Sequence, residues 1–150
     1  MKLEFLHGTE TGTAEIVCED LEAAVSGVET AIQSLEDMDP TALEGDPLYV
    51  IVCSTFGSGD LPSTAEPFFD KLNAAKPDLS HVRFAIFGLG DRTFGETFNQ
   101  GSEKLMEALI ACKATMVGER GIADASSADM PEEVAVPWLE EILEKAAAQA

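Results

Sequence analysis

The sequence predicts an α/β protein in which a parallel sheet is sandwiched between two layers of helices. Two runs, Leu48 to Cys53 (LYVIVC) and Val82 to Phe87 (VRFAIF), lack polar alternation, as strands covered on both faces do. Strand-like and helix-like segments also alternate along the whole chain, and each right-handed crossover helix has to pack back on the sheet. Glycine-rich and hydroxyl-rich loops follow three of the strands, where open α/β sheets bind their ligands.

The elements follow in order. Lys2 to His7 reads as a first strand, and the turn Gly8 to Gly12 feeds a helix from about Thr13 to Ser26. Val17, Leu21, Ala24, Val25 and Val28 mark its apolar face at helical spacing. A second strand near Ala31 to Leu35 leads through an acidic, proline-containing connector to the third, Leu48 to Cys53. Ala65, Phe68, Phe69 and Leu72 then fall on one side of a short helix, ahead of the fourth strand. The loop Gly88 to Glu96 opens a helix with Phe98, Leu105, Met106, Leu109 and Ile110 inward. A short fifth strand spans Ala114 to Val117, and Glu119 to Met130 reads as a plain polar loop. Pro131 starts a last helix whose buried stripe is Val134, Trp138, Leu139, Ile142, Leu143 and Ala146, with an alanine-rich end expected to fray. Glu4 stands out, because a carboxylate in a central strand needs a partner or a route to solvent.

Composition narrows the function classes. With 150 residues, 45% of them hydrophobic, the chain is expected to form one domain, 1–150, with a sizeable core. No apolar stretch approaches the roughly 20 residues that span a bilayer, and the chain enters its first strand without a signal-peptide pattern. A cytoplasmic location is therefore expected. Cys18, Cys53 and Cys112 show no CxxC spacing or nearby histidine pair, so buried reduced thiols are expected and no metal site. The net charge of −19 opposes nucleic acid and anionic membranes and favours a basic protein partner. Simple solubility, or an acidic proteome, is the competing explanation of that charge.

The first loop, Gly8-Thr9-Glu10-Thr11-Gly12-Thr13-Ala14-Glu15, is hydroxyl-rich and runs into a helix N-terminus, where free backbone N–H groups suit a phosphate. It holds no lysine or arginine, which argues against a nucleoside-triphosphate site and for a single phosphomonoester. A helix capped by Thr11 or Thr13 is the alternative. The second loop, Ser54-Thr55-Phe56-Gly57-Ser58-Gly59-Asp60-Leu61-Pro62, sets an aromatic ring beside a glycine whose peptide can turn at low steric cost. The third, Gly88-Leu89-Gly90-Asp91-Arg92-Thr93-Phe94-Gly95, adds a second aromatic, so that two rings can sandwich a planar ligand. Its glycines read GxGxxxxG after the fourth strand, a poor match to a dinucleotide fingerprint. No GxSxG, HExxH or Cys/His constellation occurs, and no catalytic residue is assigned.

In this order TETGTAE, STFGSGDLP and FGLGDRTF resemble the flavodoxin family, both its short-chain MioC-like members and the FMN domain of diflavin reductases. PWLEEI resembles the family's last helix, so nearly the whole chain is covered. The resemblance implies a three-layer flavodoxin-like fold with a five-stranded parallel sheet of order 2-1-3-4-5. It implies FMN as cofactor, with Thr9, Glu10, Thr11, Gly12 and Thr13 on the phosphate. Ser54, Thr55, Phe56 and Gly57 would border the ring, and Leu89, Gly90, Asp91, Phe94, Phe98 and Asn99 would form the other wall. Phenylalanine at both stacking positions, Phe56 and Phe94, departs from the family's frequent tyrosine or tryptophan. The chain also lacks the roughly twenty-residue insertion that splits the fifth strand of long-chain members.

The function so implied is a monomeric, low-potential electron carrier between a basic NADPH-dependent flavodoxin/ferredoxin reductase and an acceptor protein. A carboxylate about 8 Å from a reduced anionic flavin costs about 2 kcal/mol at an effective dielectric near about 20, which is why acidity lowers the potential. An FMN-dependent NAD(P)H:quinone-type reductase is the alternative, and nothing in the sequence resembles its nicotinamide pocket. A signalling receiver domain needs an acidic cluster after the first strand and an acceptor aspartate after the third, where this chain has HGTETG and STFGSG.

Overall fold

The structure, a computed structural model, describes residues 1–55, 59–91 and 99–148. The expectations for Phe56, Gly57, Phe94 and Phe98 lie outside the described residues. The strands are β1 (Lys2–Gly8), β2 (Glu29–Ser34), β3 (Leu48–Ser54), β4 (Arg83–Gly90), β5 (Thr115–Met116) and β6 (Gly121–Asp124). The helices are α1 (Thr13–Ala24), α2 (Glu66–Ala75), α3 (Gln100–Ala111) and α4 (Pro131–Ala148), with 3-10 turns at Leu35–Asp37 and Pro40–Ala42.

All strand pairs are parallel, in the order β2-β1-β3-β4-β5, with β6 also paired to β4. The expected order 2-1-3-4-5 is therefore present, with one strand more than expected. β5 pairs Arg83 and Phe84 at the start of β4, and β6 pairs Phe87 to Gly90 at its end. The fifth position is thus two short segments separated by residues 117–120, and the stretch expected as a plain polar loop contains β6. Gly118 breaks the line with φ +69, a backbone geometry that suits glycine.

Side-chain alternation splits the core into two layers. Leu6, Ile51, Phe84 and Ile86 face Phe68 and Leu72 of α2 and Leu105 and Leu109 of α3. Leu3, Phe5, Val50, Val52 and Phe87 face Val17 and Leu21 of α1 and Leu139 and Ile142 of α4. Three details differ from the periodicity. α1 ends at Ala24, with Val25 extended, because Gly27 (φ +72) turns the chain into β2. Ile110, expected inward, is 46% exposed. Gly88, Leu89 and Gly90, expected as loop, are the last three residues of β4. Glu4 of β1 reaches solvent and pairs with Lys2 Nζ at 3.4 Å.

The three thiols are free and buried. Burial pushes Cys53 up to about 12 from an ordinary 9.0 and raises Cys18 as well. A thiol kept protonated by the fold contributes stability that is intact below pH 9 and lost as the unfolded chain ionises between pH 9 and 12. Cys18 and Cys53 are accordingly expected to react with Ellman's reagent at neutral pH only at the rate of unfolding. A fast phase accounting for two thiols in native protein would contradict their burial.

Candidate functional site

Parallel β1, β3 and β4 end together, and the chain leaves each through one of the three loops. Between them lies a cavity of about 230 Å³ lined by Glu10, Thr11, Thr13, Ser54, Thr55, Leu89, Gly90 and Asp91, together with Ala123, Ala125 and Pro131. Eight of the residues singled out in the sequence are therefore brought to one place. The last three were not anticipated; they come from the β6 strand, its exit and the start of α4, where no sequence motif marked a site.

The first loop is shaped by its own hydrogen bonds. Thr9 is buried, its hydroxyl accepts from Gly12 N at 2.9 Å, and its N–H donates to Thr64 Oγ1 at 2.8 Å. Thr64 in turn donates to Thr9 O at 3.0 Å. Thr9 thus braces the loop from behind and does not line the cavity. Gly12, with φ +93, then turns the chain into α1. Glu10 points its carboxylate at the N–H of Ser63, which ties the first loop to the segment after β3.

The helix that leaves this loop is uncapped. The first N–H groups of any α-helix have no intrahelical acceptor, and no side chain caps α1. The alternative in which Thr11 or Thr13 is the cap is therefore not what the structure has. Instead the two hydroxyls stand 3.3 Å apart and both line the cavity. Free amides, the positive helix end and paired hydroxyls form a neutral donor set for a phosphomonoester, and no lysine or arginine is among the described lining residues.

The opposite wall is held by α3. Thr55 N donates to Leu89 O at 2.9 Å, and Gly101 N donates to Thr55 Oγ1 at 3.0 Å. Lys104 Nζ reaches Gly59 O at 2.8 Å. Asn99 is fully buried in a left-handed conformation (φ +57), and its side-chain amide lies against Gly88 and Gly90 behind the cavity. Arg120 Nη1 donates to Asn99 O at 2.9 Å and to Ser102 Oγ at 2.8 Å. Arg120 and Ser102 are supporting residues that sequence reasoning missed, since neither lies in a glycine-rich loop.

Comparison with known proteins agrees with this fold. Residues 6–138 match the Flavodoxin family model. A MioC homolog of Haemophilus influenzae is 32% identical over 96% of this chain and 98% of its own. The NADPH-dependent diflavin oxidoreductase 1 of Emericella nidulans is 34% identical over 89% of this chain, which corresponds to 21% of that longer protein. The solved structure of a cysteine-to-alanine variant of flavodoxin from Pseudomonas aeruginosa superposes with a TM-score of 0.79 at 29% identity, covering 97% of this chain and 98% of that one. Fold, family model and relatives lead to the same conclusion: the chain belongs to the flavodoxin family of FMN-binding electron-transfer proteins.

Proposed function

We propose that the protein is a one-domain, cytoplasmic, monomeric shuttle that takes electrons from a basic NADPH-dependent reductase and passes them to an acceptor protein. The observation that carries this reading is the uncapped α1 N-terminus with the Thr11 and Thr13 hydroxyls opening onto the cavity. FMN supplies the redox chemistry when bound, and the protein's part is to hold, cover and tune it. In this reading Thr11, Gly12 and Thr13 bind the phosphate, Thr9 and Glu10 fix the loop, and Ser54 and Thr55 border the ring. Leu89, Gly90 and Asp91 form the facing wall, backed by Asn99. The assignments of Phe56, Gly57, Phe94 and Phe98 rest on the family pattern alone.

The net charge of −19 supports low-potential chemistry and steering toward a basic partner. Stopped-flow reduction by such a reductase is expected to slow about tenfold or more as salt rises from about 0.02 to about 0.5 M. A rate indifferent to ionic strength would remove steering from the proposal. Steady-state NADPH oxidation by the purified FMN-loaded protein alone would instead identify an FMN-dependent NAD(P)H:quinone-type reductase. Activity that appears only when a reductase is added supports the shuttle.

A further inference from the structure

Arg120 carries a charge that its own hydrogen bonds do not account for. It directly precedes β6, is half-buried, and uses one guanidinium nitrogen on two neutral oxygens, Asn99 O at 2.9 Å and Ser102 Oγ at 2.8 Å. Lys2, Lys71 and Lys145 each meet a carboxylate. Among the described residues Arg120 forms no ion pair, although the chain has 28 acidic residues.

The position is also an unfavourable one for a cation. Asn99 stands at the N-terminus of α3, and its carbonyl already accepts the first helical bond, from Glu103 N at 3.3 Å. A helix N-terminus carries partial positive charge and repels a second one. A neutral amide could donate to the same two oxygens without that repulsion. The bonds therefore explain a donor at position 120, and the charge needs a separate reason.

The surroundings of Arg120 give that reason, because they form the back of the cofactor wall. Ser102 Oγ lies against Gly88, where an added Cβ would collide with it. The next two residues of β4, Leu89 and Gly90, line the cavity. Ala123, three residues after Arg120, pairs with Leu89 and also lines the cavity, about 10 Å further along an extended chain. The described lining residues include two acids, Glu10 and Asp91, and no lysine or arginine. A half-buried charge at that range is only partly screened by solvent and salt.

We propose that Arg120 sets the charge balance of the cofactor site. Its fixed positive charge, held behind Gly88–Gly90 by Asn99 and Ser102, favours the reduced, anionic flavin and offsets part of the potential-lowering effect of the acidic surface. The inference rests on the FMN reading given above. It makes Arg120 an electrostatic residue, with no contact to the flavin required.

The test is a spectroelectrochemical titration of the FMN-loaded wild type and of R120Q, R120M and R120K, with R83Q as control. Arg83 begins the same eight-residue strand that Gly90 ends, about 23 Å away. In R120Q and R120M the equilibrium constant of the step that makes the flavin anionic is expected to fall about tenfold, a downward shift of about 59 mV for one electron. Either neutral variant suffices if the other does not fold. R120K keeps the charge on a different head group and is expected to stay within about threefold of wild type, as is R83Q. Urea midpoints report the two hydrogen bonds separately and are expected to fall in all three Arg120 variants. Equal potential shifts in R120K and the neutral variants would assign the effect to bonding geometry and overturn the proposal. An equal shift in R83Q would assign it to net charge and overturn it too. Unshifted potentials in FMN-loaded R120Q and R120M overturn this inference alone, whereas a wild type that takes up no FMN overturns the cofactor reading and the inference with it.

Discussion

Replacing Thr11 and Thr13 together by valine is expected to weaken FMN binding by about 10²–10⁴-fold. A hydrogen bond to a charged group contributes about 1.5–3 kcal/mol, so two hydroxyls on one phosphate amount to about 3–6 kcal/mol. Valine keeps the branched shape and removes only the donor. Both side chains are exposed, so the urea midpoint should move little. Riboflavin, which has no phosphate, separates the two ways in which these residues could act. If they touch the phosphate, riboflavin affinity stays within about threefold of wild type while FMN affinity collapses. Equal weakening of both ligands would mean that the threonines only shape the turn. Fluorescence quenching of each flavin on titration with apoprotein measures both constants. Thr9→Val, by contrast, removes the acceptor for Gly12 N, and is expected to lower stability and flavin affinity together, because Thr9 works on the loop itself.

That contrast marks what the amino-acid sequence could and could not convey. A threonine-rich turn before a helix announces hydroxyl and amide donors. It does not say which hydroxyl faces the ligand and which is consumed internally: the Thr9 hydroxyl accepts from Gly12 N, and the backbone of Thr9 is held in that position by Thr64, far along the chain. The strands LYVIVC and VRFAIF were legible because burial on both faces leaves a continuous apolar run. β6 was not, because GIAD is short and only Ala123 of its four side chains is buried. Its presence places Ala123 and Ala125 on the cavity wall without any motif. The extension of β4 through Gly88-Leu89-Gly90 was hidden for a different reason. Glycine reads as loop in a sequence, yet here it lets α3 press against the sheet.

That close approach makes Gly88→Ala the most disruptive single methyl group in the site. A Cβ at Gly88 would stand 2.2 Å from Ser102 Oγ, 2.4 Å from Asn99 Oδ1 and 2.9 Å from Ser102 Cβ. None of these atoms can yield freely. Ser102 is fully buried, and its hydroxyl accepts from Arg120 and donates to Asn99 O at 3.1 Å. Asn99 begins α3 in a left-handed turn. Relief therefore means moving the helix, and with it Gly101 and its bond to Thr55. Overpacking costs about 1–3 kcal/mol, and loss of a buried hydrogen bond adds about 1 kcal/mol or more. The expected loss is about 2–4 kcal/mol, or about 4–16 °C in Tm for a domain of this size, with weaker FMN binding because the Thr55 wall moves. Gly27→Ala is the matched control. Gly27 has φ +72 and nothing within 4 Å of its added Cβ, so it carries backbone strain of about 1–2 kcal/mol and no clash. Urea unfolding of both apoproteins decides the matter: a Gly88→Ala cost no larger than that of Gly27→Ala, with FMN affinity unchanged, would mean that α3 does not press on β4 as described.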